Sequence, residues 1–272
     1  MLQGRHDVEG PSRFTKNVEA YTDDGITFHG AYGHRWRTHF GFDQLNLIAR
    51  RLRDDKTDRR CVLQMWDVNS DLDVNSKDLP CNTVATFQRG ANGRLDLVVF
   101  NRSNDIIWGA YGANAVQFGA LLEYMAIKLG CSPGSYHQVS VNWHGYLNTL
   151  EKVKNLRPGR LNEVYNQYEH GVYYIPMPED VSYVDDIIAG ILNAVDSNFT
   201  TDEFMKDFSH PWAFNMYVVL KAHHMYKLLT GTNKYLEPIK WLELADPKCD
   251  WVVAAKDWFT RRLHKWAKNE DS

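Results

Sequence analysis

Leu79-Pro80-Cys81-Asn82-Thr83 opens, and Asn101-Arg102-Ser103-Asn104-Asp105 closes, the stretch that decides how this chain folds. Between them, Thr83 to Gln88 and Leu95 to Phe100 read as two strands. Their connection, Arg89-Gly90-Ala91-Asn92-Gly93-Arg94, carries an Asn-Gly pair that is a strong hairpin signal. One hairpin therefore sets a cysteine that follows a proline beside an arginine, a serine and an acid. Thiolate is the reactive form of cysteine, and a nearby guanidinium lowers the thiol pKa while holding an anionic ligand. Cys81 and Arg102 are the first candidates for chemistry.

Working outward toward the carboxyl end, Ile106 to Gly112 is an irregular segment rich in glycine and aromatics. Asn114 then opens a helix over Ala115 to Leu129, with a wide apolar face and Gly130 as its stop. Tyr136 to Val141 alternates as a strand and leads into Asn142-Trp143-His144-Gly145-Tyr146, where a His and a Tyr two apart can bond one ligand group. A helix follows from Leu147 to Asn155. Beyond Arg157-Pro158-Gly159 the chain turns helical, over Val181 to Val195, Pro211 to Leu229 and Trp251 to Trp266. His223-His224 lack an acid or cysteine at ligand spacing, so no metal site is expected there.

Toward the amino end, Cys61 to Trp66 is a short apolar run that reads as a buried strand behind Arg59-Arg60. Asp43 to Arg53 places Leu45, Ile48, Ala49 and Leu52 on one helical face. Phe28 to Arg37 interleaves glycine and aromatics with three basic side chains. Such a stretch suits a surface loop that meets a flat or anionic ligand, or an ordinary loop anchored by Tyr32 and Trp36. Met1-Leu2-Gln3-Gly4 resembles a helix end stopped by Gly4, so a preceding segment is expected before Met1.

A chain of 272 residues with 44% hydrophobic and 24% charged residues is an ordinary globular protein with a full core. Its net charge of -3 argues against a general nucleic-acid binder. Four widely spaced cysteines, Cys61, Cys81, Cys131 and Cys249, form neither a zinc ribbon nor a disulfide framework, which favours a reducing cytoplasm. A long apolar run and a signal-like amino terminus are both missing, and no membrane partner is expected.

In order, these motifs resemble the thymidylate synthase and pyrimidine hydroxymethylase family, in the divergent branch common in bacteriophages. Gly30-Ala31-Tyr32-Gly33-His34-Arg35-Trp36-Arg37 is similar to the family's G-P-x-Y-G-x-x-W-R, Asp43-Gln44-Leu45 to its D-Q-I/L, and Arg59-Arg60 to its R-R pair. Leu79-Pro80-Cys81 is similar to its nucleophile loop, Arg102-Ser103-Asn104-Asp105 to its R-S-x-D, and His144-Gly145-Tyr146 to its H-x-Y. The resemblance implies an α/β (α+β) fold: a large mixed sheet flanked by helices, one sheet face forming a homodimer interface. It divides the chain into a thymidylate synthase-like core over 1–160, without its amino-terminal segment, and a helix-rich part of the same domain over 161–272.

The resemblance further implies a folate-dependent transferase acting at carbon 5 of a deoxypyrimidine monophosphate, with 5,10-methylenetetrahydrofolate as cosubstrate and no metal. Cys81 would add to carbon 6 of the ring. Arg102 and Ser103 would hold the 5′-phosphate, with Arg59 and Arg60 arriving from the partner subunit. His144 and Tyr146 would bond the deoxyribose 3′-hydroxyl, and Asn114 would read the pyrimidine edge as uracil. Asp105 would accept from the pterin, with Trp36 packed against it. The family's catalytic glutamate would lie upstream of Met1, and Asn82 stands where common synthases have a His. Their folate-closing tail is not visible in Ala267 to Ser272, which tilts the expected product from thymidylate toward 5-hydroxymethyl-deoxyuridylate. Deoxycytidylate hydroxymethylation and a silent nucleotide-binding homologue are the alternatives.

Overall fold

The computed structural model describes residues 1–153, 166–197 and 201–270. Cα packing divides the chain into two units, Met1–Pro158 with Glu179–Val181 and Gly159–Pro178 with Ser182–Ser272. The first is built on a four-stranded mixed sheet of order β1-β2-β3-β4, with β1 Val62–Gln64, β2 Asn82–Arg89, β3 Leu95–Asp105 and β4 Pro133–His144. Pairing is antiparallel from β1 to β3, while β3 and β4 run parallel. Helices α1, Gln44–Asp54, and α2, Asn114–Lys128, pack on the sheet, and α3 spans Leu147–Val153.

The core follows from the two periodicities in the sequence. Leu63, Ala85, Phe87, Leu95, Leu97 and Val99 are buried from the strands; Leu45, Ile48, Ala49 and Leu52 from α1; Phe118, Leu121, Leu122 and Met125 from α2. Asp43 caps α1 by accepting from the Asn46 amide. Gln44 ties that helix to β1, donating to the Gln64 carbonyl at 2.9 Å and accepting from the Gln64 amide at 2.8 Å.

Several elements differ in extent from the sequence reading. Strand β3 runs through Asn101–Asp105, because each of these residues except Arg102 has a paired partner on the parallel β4, from Asn101 with Ser140 to Asp105 with His144. Strand β1 is shorter than the apolar run around it: the Met65 and Trp66 amides both donate to the Thr83 carbonyl, which ends the regular ladder. The linker Arg157-Pro158-Gly159 and the end of the helix expected to Asn155 lie outside the described residues.

The second unit is helical: α4 Val181–Asp196, α5 Thr201–Asp207, α6 Pro211–Leu228, α7 Asn233–Trp241 and α8 Asp250–Glu270. Its core includes Phe204 stacked on Tyr217, with ring centroids 4.0 Å apart. Ile187, Val218 and Phe259 are buried.

Residues 28–37 correct the expectation of a ligand-facing surface loop. Tyr32–His34 and Arg35–His39 are helical, and Arg35 is fully buried. Its guanidinium grips Asp71 at two points, 2.8 and 2.9 Å, and donates to the His29 and Met65 carbonyls. Asp71 also accepts from the Asp67 amide and pairs with His29. A buried ion pair is costly to break on one side, since the remaining charge loses both water and partner. Arg35→Leu should therefore lower the stability of the sheet unit by about 3–5 kcal/mol. The double change Arg35→Met with Asp71→Leu should cost less than Arg35→Leu alone. Urea unfolding followed by tryptophan fluorescence measures both.

Candidate active site

Strand order brings the separate sequence motifs to one end of the sheet. Strand β2 begins there while β3 and β4 end there, so the residues just before β2 and at the carboxyl ends of the other two lie side by side. The Arg102 amide donates to the Cys81 carbonyl at 2.9 Å, and Ser103, Asn104 and Asp105 pair in register with Asn142, Trp143 and His144. Cys81, Arg102, Ser103, Asp105 and His144 are thus gathered by backbone pairing alone.

The cysteine loop is held on both sides. Arg102 donates from Nε to the Pro80 carbonyl at 2.9 Å and from Nη2 to the Leu79 carbonyl at 3.1 Å, leaving Nη2 4.0 Å from Cys81 Sγ. On the other side the Tyr32 hydroxyl accepts from the backbone amides of Cys81 and Asn82, at 3.1 and 3.0 Å. Burial pushes the Tyr32 phenol up to about 12, so it stays protonated and keeps its own hydrogen to donate. Gly30 lies under the loop: a Cβ there would meet the Asp78 carbonyl at 2.7 Å.

The half-buried Cys81 thiol corrects one electrostatic expectation. Burial raises its pKa; Arg102 lowers it, Asp78 raises it further, and the net direction is upward. The guanidinium favours the thiolate, but it does not outweigh lost solvation.

A β-bulge at Thr83 gives β2 one unpaired residue between Asn82, opposite Asn101, and Val84, opposite Phe100. Bulges re-aim side chains, and Asn82 is fully buried beside Cys81. It donates from Nδ2 to Asn114 Oδ1 at 3.0 Å and accepts from Asn101 Nδ2. Asn114 Nδ2 in turn donates to Asn104 Oδ1 at 3.0 Å. Sequence reasoning named Asn114 and singled out Asn82 as a departure from the family, but did not join them to Asn101 and Asn104; four Asn in and beside two paired strands were the available signal.

Asp105 is 8% exposed and caps the turn behind it: Oδ1 accepts from the Ile107 amide at 3.0 Å and the Trp108 amide at 2.5 Å, and Oδ2 from the Tyr146 amide at 3.4 Å. His144 and Tyr146 stand edge to face with centroids 5.2 Å apart. Trp108, Tyr111 and Trp143 are exposed aromatics on these same segments, and Tyr111 meets Trp143 edge-on at 6.1 Å. None of the three was predicted.

Three expected site residues are placed elsewhere. Trp36 is 1% exposed and packs against Tyr32 and Phe118, so its expected pterin-stacking face is core instead. Arg59 and Arg60 are exposed and precede β1, whose Val62 pairs with Thr86. They therefore sit toward the far end of β2, roughly 20 Å of strand from Cys81 at about 3.3 Å per residue. Arg60 is paired with Asp58 at 3.0 Å.

A cysteine loop clamped by an arginine, at the end of a mixed sheet that also carries R-S-x-D and H-x-Y segments, defines a class. The family profile described as thymidylate synthase matches residues 12–161, and the chain belongs to the thymidylate synthase family. Among its relatives is the deoxyuridylate hydroxymethyltransferase of Pseudomonas phage M6, 41% identical over 269 residues, covering 96% of this chain and 74% of that one. The enzyme of that name from Bacillus phage SP01 is 37% identical over 159 residues, covering 54% of this chain and 41% of that protein. The crystal structure of thymidylate synthase from T4 phage is 23% identical, covers 57% of this chain and 58% of that one, and gives a TM-score of 0.47.

The balance of burial against charge at Cys81 can be measured directly. Alkylation of Cys81 by iodoacetamide, read peptide by peptide in mass spectra, should rise with pH around a midpoint above that of an ordinary cysteine. Arg102→Leu should move the midpoint higher still, because the positive charge favouring thiolate is removed. Arg102→Lys should move it less.

Proposed function

We propose that this chain transfers a one-carbon unit from a folate to carbon 5 of deoxyuridylate, giving 5-hydroxymethyl-deoxyuridylate. The observation that carries the reading is the 4.0 Å approach of Arg102 Nη2 to Cys81 Sγ, at the sheet end shared with His144. The phage M6 relative, named a deoxyuridylate hydroxymethyltransferase and similar over nearly the whole chain, favours uracil over cytosine and hydroxymethyl over methyl.

Carbon 5 of uracil is a poor nucleophile until carbon 6 is attacked. Cys81 Sγ as thiolate forms a bond to carbon 6, and the ring double-bond electrons move toward O4 as an enolate. The enolate carbon then takes up a one-carbon unit at the formaldehyde level. Loss of the carbon 5 proton and cleavage of the one-carbon unit's bond to the folate nitrogen leave an exocyclic methylene at carbon 5, with Sγ still bound to carbon 6 and tetrahydrofolate released. Water adds to that methylene, and rupture of the Sγ–carbon 6 bond then restores the ring double bond and the thiolate, giving the hydroxymethyl group without oxidation or reduction; a methyl product would require a hydride.

Arg102 and Ser103 are the phosphate contacts of this reading. His144 and Tyr146 serve the sugar hydroxyl, and Asn114 offers an amide to N3 and O4. Asp105 keeps acceptor capacity for a pterin, since a carboxylate has about four acceptor positions and three are used. Trp108, Tyr111 and Trp143 take over the flat contact once expected of Trp36, and their exposure fits a substrate that stacks.

The reading includes a homodimer. On the sheet face away from the helices, Val62, Phe100, Val139 and Val141 are all exposed, an apolar surface that a second copy would cover. Arg59 and Arg60, remote from Cys81 within one chain, then reach the phosphate of the partner's site. Four free cysteines fit a reducing compartment.

Incubation with deoxyuridylate and methylenetetrahydrofolate should yield a product whose mass identifies hydroxymethyl-deoxyuridylate; no product from either nucleotide, deoxyuridylate or deoxycytidylate, would defeat the proposal. Cys81→Ser should cut turnover on the order of a thousandfold or more with deoxyuridylate affinity little changed. Sedimentation should show a dimer, and Val141→Glu should weaken it.

A further inference from the structure

The buried amides beside Cys81 form a closed circuit in which every hydrogen bond points the same way. Asn101 Nδ2 donates to Asn82, Asn82 Nδ2 to Asn114, Asn114 Nδ2 to Asn104, Asn104 Nδ2 to Ser140 Oγ at 2.9 Å, and Ser140 Oγ back to Asn101 Oδ1 at 3.3 Å. Taken alone, such a circuit has two senses, because an amide can exchange its oxygen and nitrogen by turning over. Reversal of all members together would keep the bonds.

One contact outside the circuit removes that freedom. Gln138 Nε2 donates to the Ala110 carbonyl at 2.8 Å, and a backbone carbonyl only accepts. Gln138 is therefore obliged to present Oε1 to Asn104, which donates to it from Nδ2 at 3.0 Å. Asn104 then has only its oxygen to offer Asn114, so Asn114 must point its nitrogen at Asn104 and its oxygen at Asn82. Gly109 makes room for this arrangement: a Cβ there would fall 2.4 Å from Asn104 Oδ1 and 3.4 Å from Asn114 Nδ2.

We infer that Gln138 is a specificity-determining positioning residue: through Asn104 it fixes which way round the Asn114 amide stands, and so which pyrimidine edge that amide accepts. The inference rests on the reading of Asn114 as the pyrimidine contact. Uracil shows a donor at N3 and an acceptor at O4; cytosine shows the reverse pair. An asparagine free to turn over satisfies either, whereas one held in a single orientation satisfies one and meets the other with donor against donor and acceptor against acceptor. The circuit leaves Asn114 one N–H and one oxygen lone pair, enough for one such edge. Discrimination then resides in a strand residue that has no need to touch the nucleotide.

Gln138→Leu removes the obliged acceptor, and Gln138→Glu keeps one facing Asn104 while losing the donor to Ala110. Calorimetric titration of deoxyuridylate and deoxycytidylate, without folate, reads the ratio of the two affinities. We expect that ratio to fall by about tenfold in the Leu variant, with deoxycytidylate gaining in absolute terms, and to fall less in the Glu variant. Equal loss for both nucleotides, or no change in either, would overturn the inference. The second readout needs no nucleotide: side-chain amide protons of Asn104 and Asn114 in 15N spectra should resist solvent exchange in the unaltered chain and lose that resistance in Gln138→Leu. Unchanged protection would also overturn it. Failure of the unaltered chain to bind deoxyuridylate would instead count against the enzyme reading, leaving the lock to be judged on the amide spectra.

Discussion

Strand β3 is hydrogen-bonded on both edges, and its second half is polar. Leu95, Leu97 and Val99 are buried at one end, whereas Asn101, Asn104 and Asp105 are buried at the other. An amide or carboxylate taken out of water without partners costs several kcal/mol, so this half of the strand is tolerable only if neighbouring segments meet each group. Asn82 arrives by a bulge in β2, Ser140 and Gln138 from the parallel β4, Asn114 from the first turn of α2, and the backbone after Asp105 folds back onto its carboxylate. The demand for satisfied polar groups at the strand end is what draws the site together.

Much of this was legible in the sequence, and the reasons divide by the range of the interactions involved. The hairpin, the two core helices and the pairing of Cys81 with Arg102 follow from alternation, helical spacing and turn chemistry, all local. Strand β3 was read too short because Asn101 to Asp105 has no apolar alternation; its strand geometry comes from β4, whose parallel register lies some 40 residues away in sequence and leaves no local signature. The Trp36 and Arg35 reading failed for a related reason. An Arg-Trp pair among glycines looks like exposed recognition chemistry, but Asp71, which neutralises Arg35, sits in an unremarkable polar stretch. Partners distant in sequence decide whether a charge is buried.

The same point governs the second half of the chain. Helices α4, α6 and α8 could be read from periodicity, whereas α5 and α7 were not; Phe204 stacks on Tyr217, and Phe259 is buried. Every residue assigned to the site, from Tyr32 to Tyr146, belongs to the sheet unit. Assembly of the cysteine loop, the arginine and the amide circuit is therefore accounted for within one compact unit.

The resting state of Cys81 also becomes intelligible in these terms. An arginine beside a cysteine is usually read as an activator, yet here its donors are already directed at the Leu79 and Pro80 carbonyls, and the sulfur lies at 4.0 Å rather than in close contact. The guanidinium's first task is to hold the shape of the loop; its field at the sulfur is what remains. Burial then tips the balance toward the neutral thiol. A neutral sulfur is poorly reactive toward oxidants and stray electrophiles, since the thiolate is the nucleophile. In the proposed reaction the thiolate is formed against this balance; the charges that set it are Arg102 and Asp78, while the Tyr32 hydroxyl holds the same short loop.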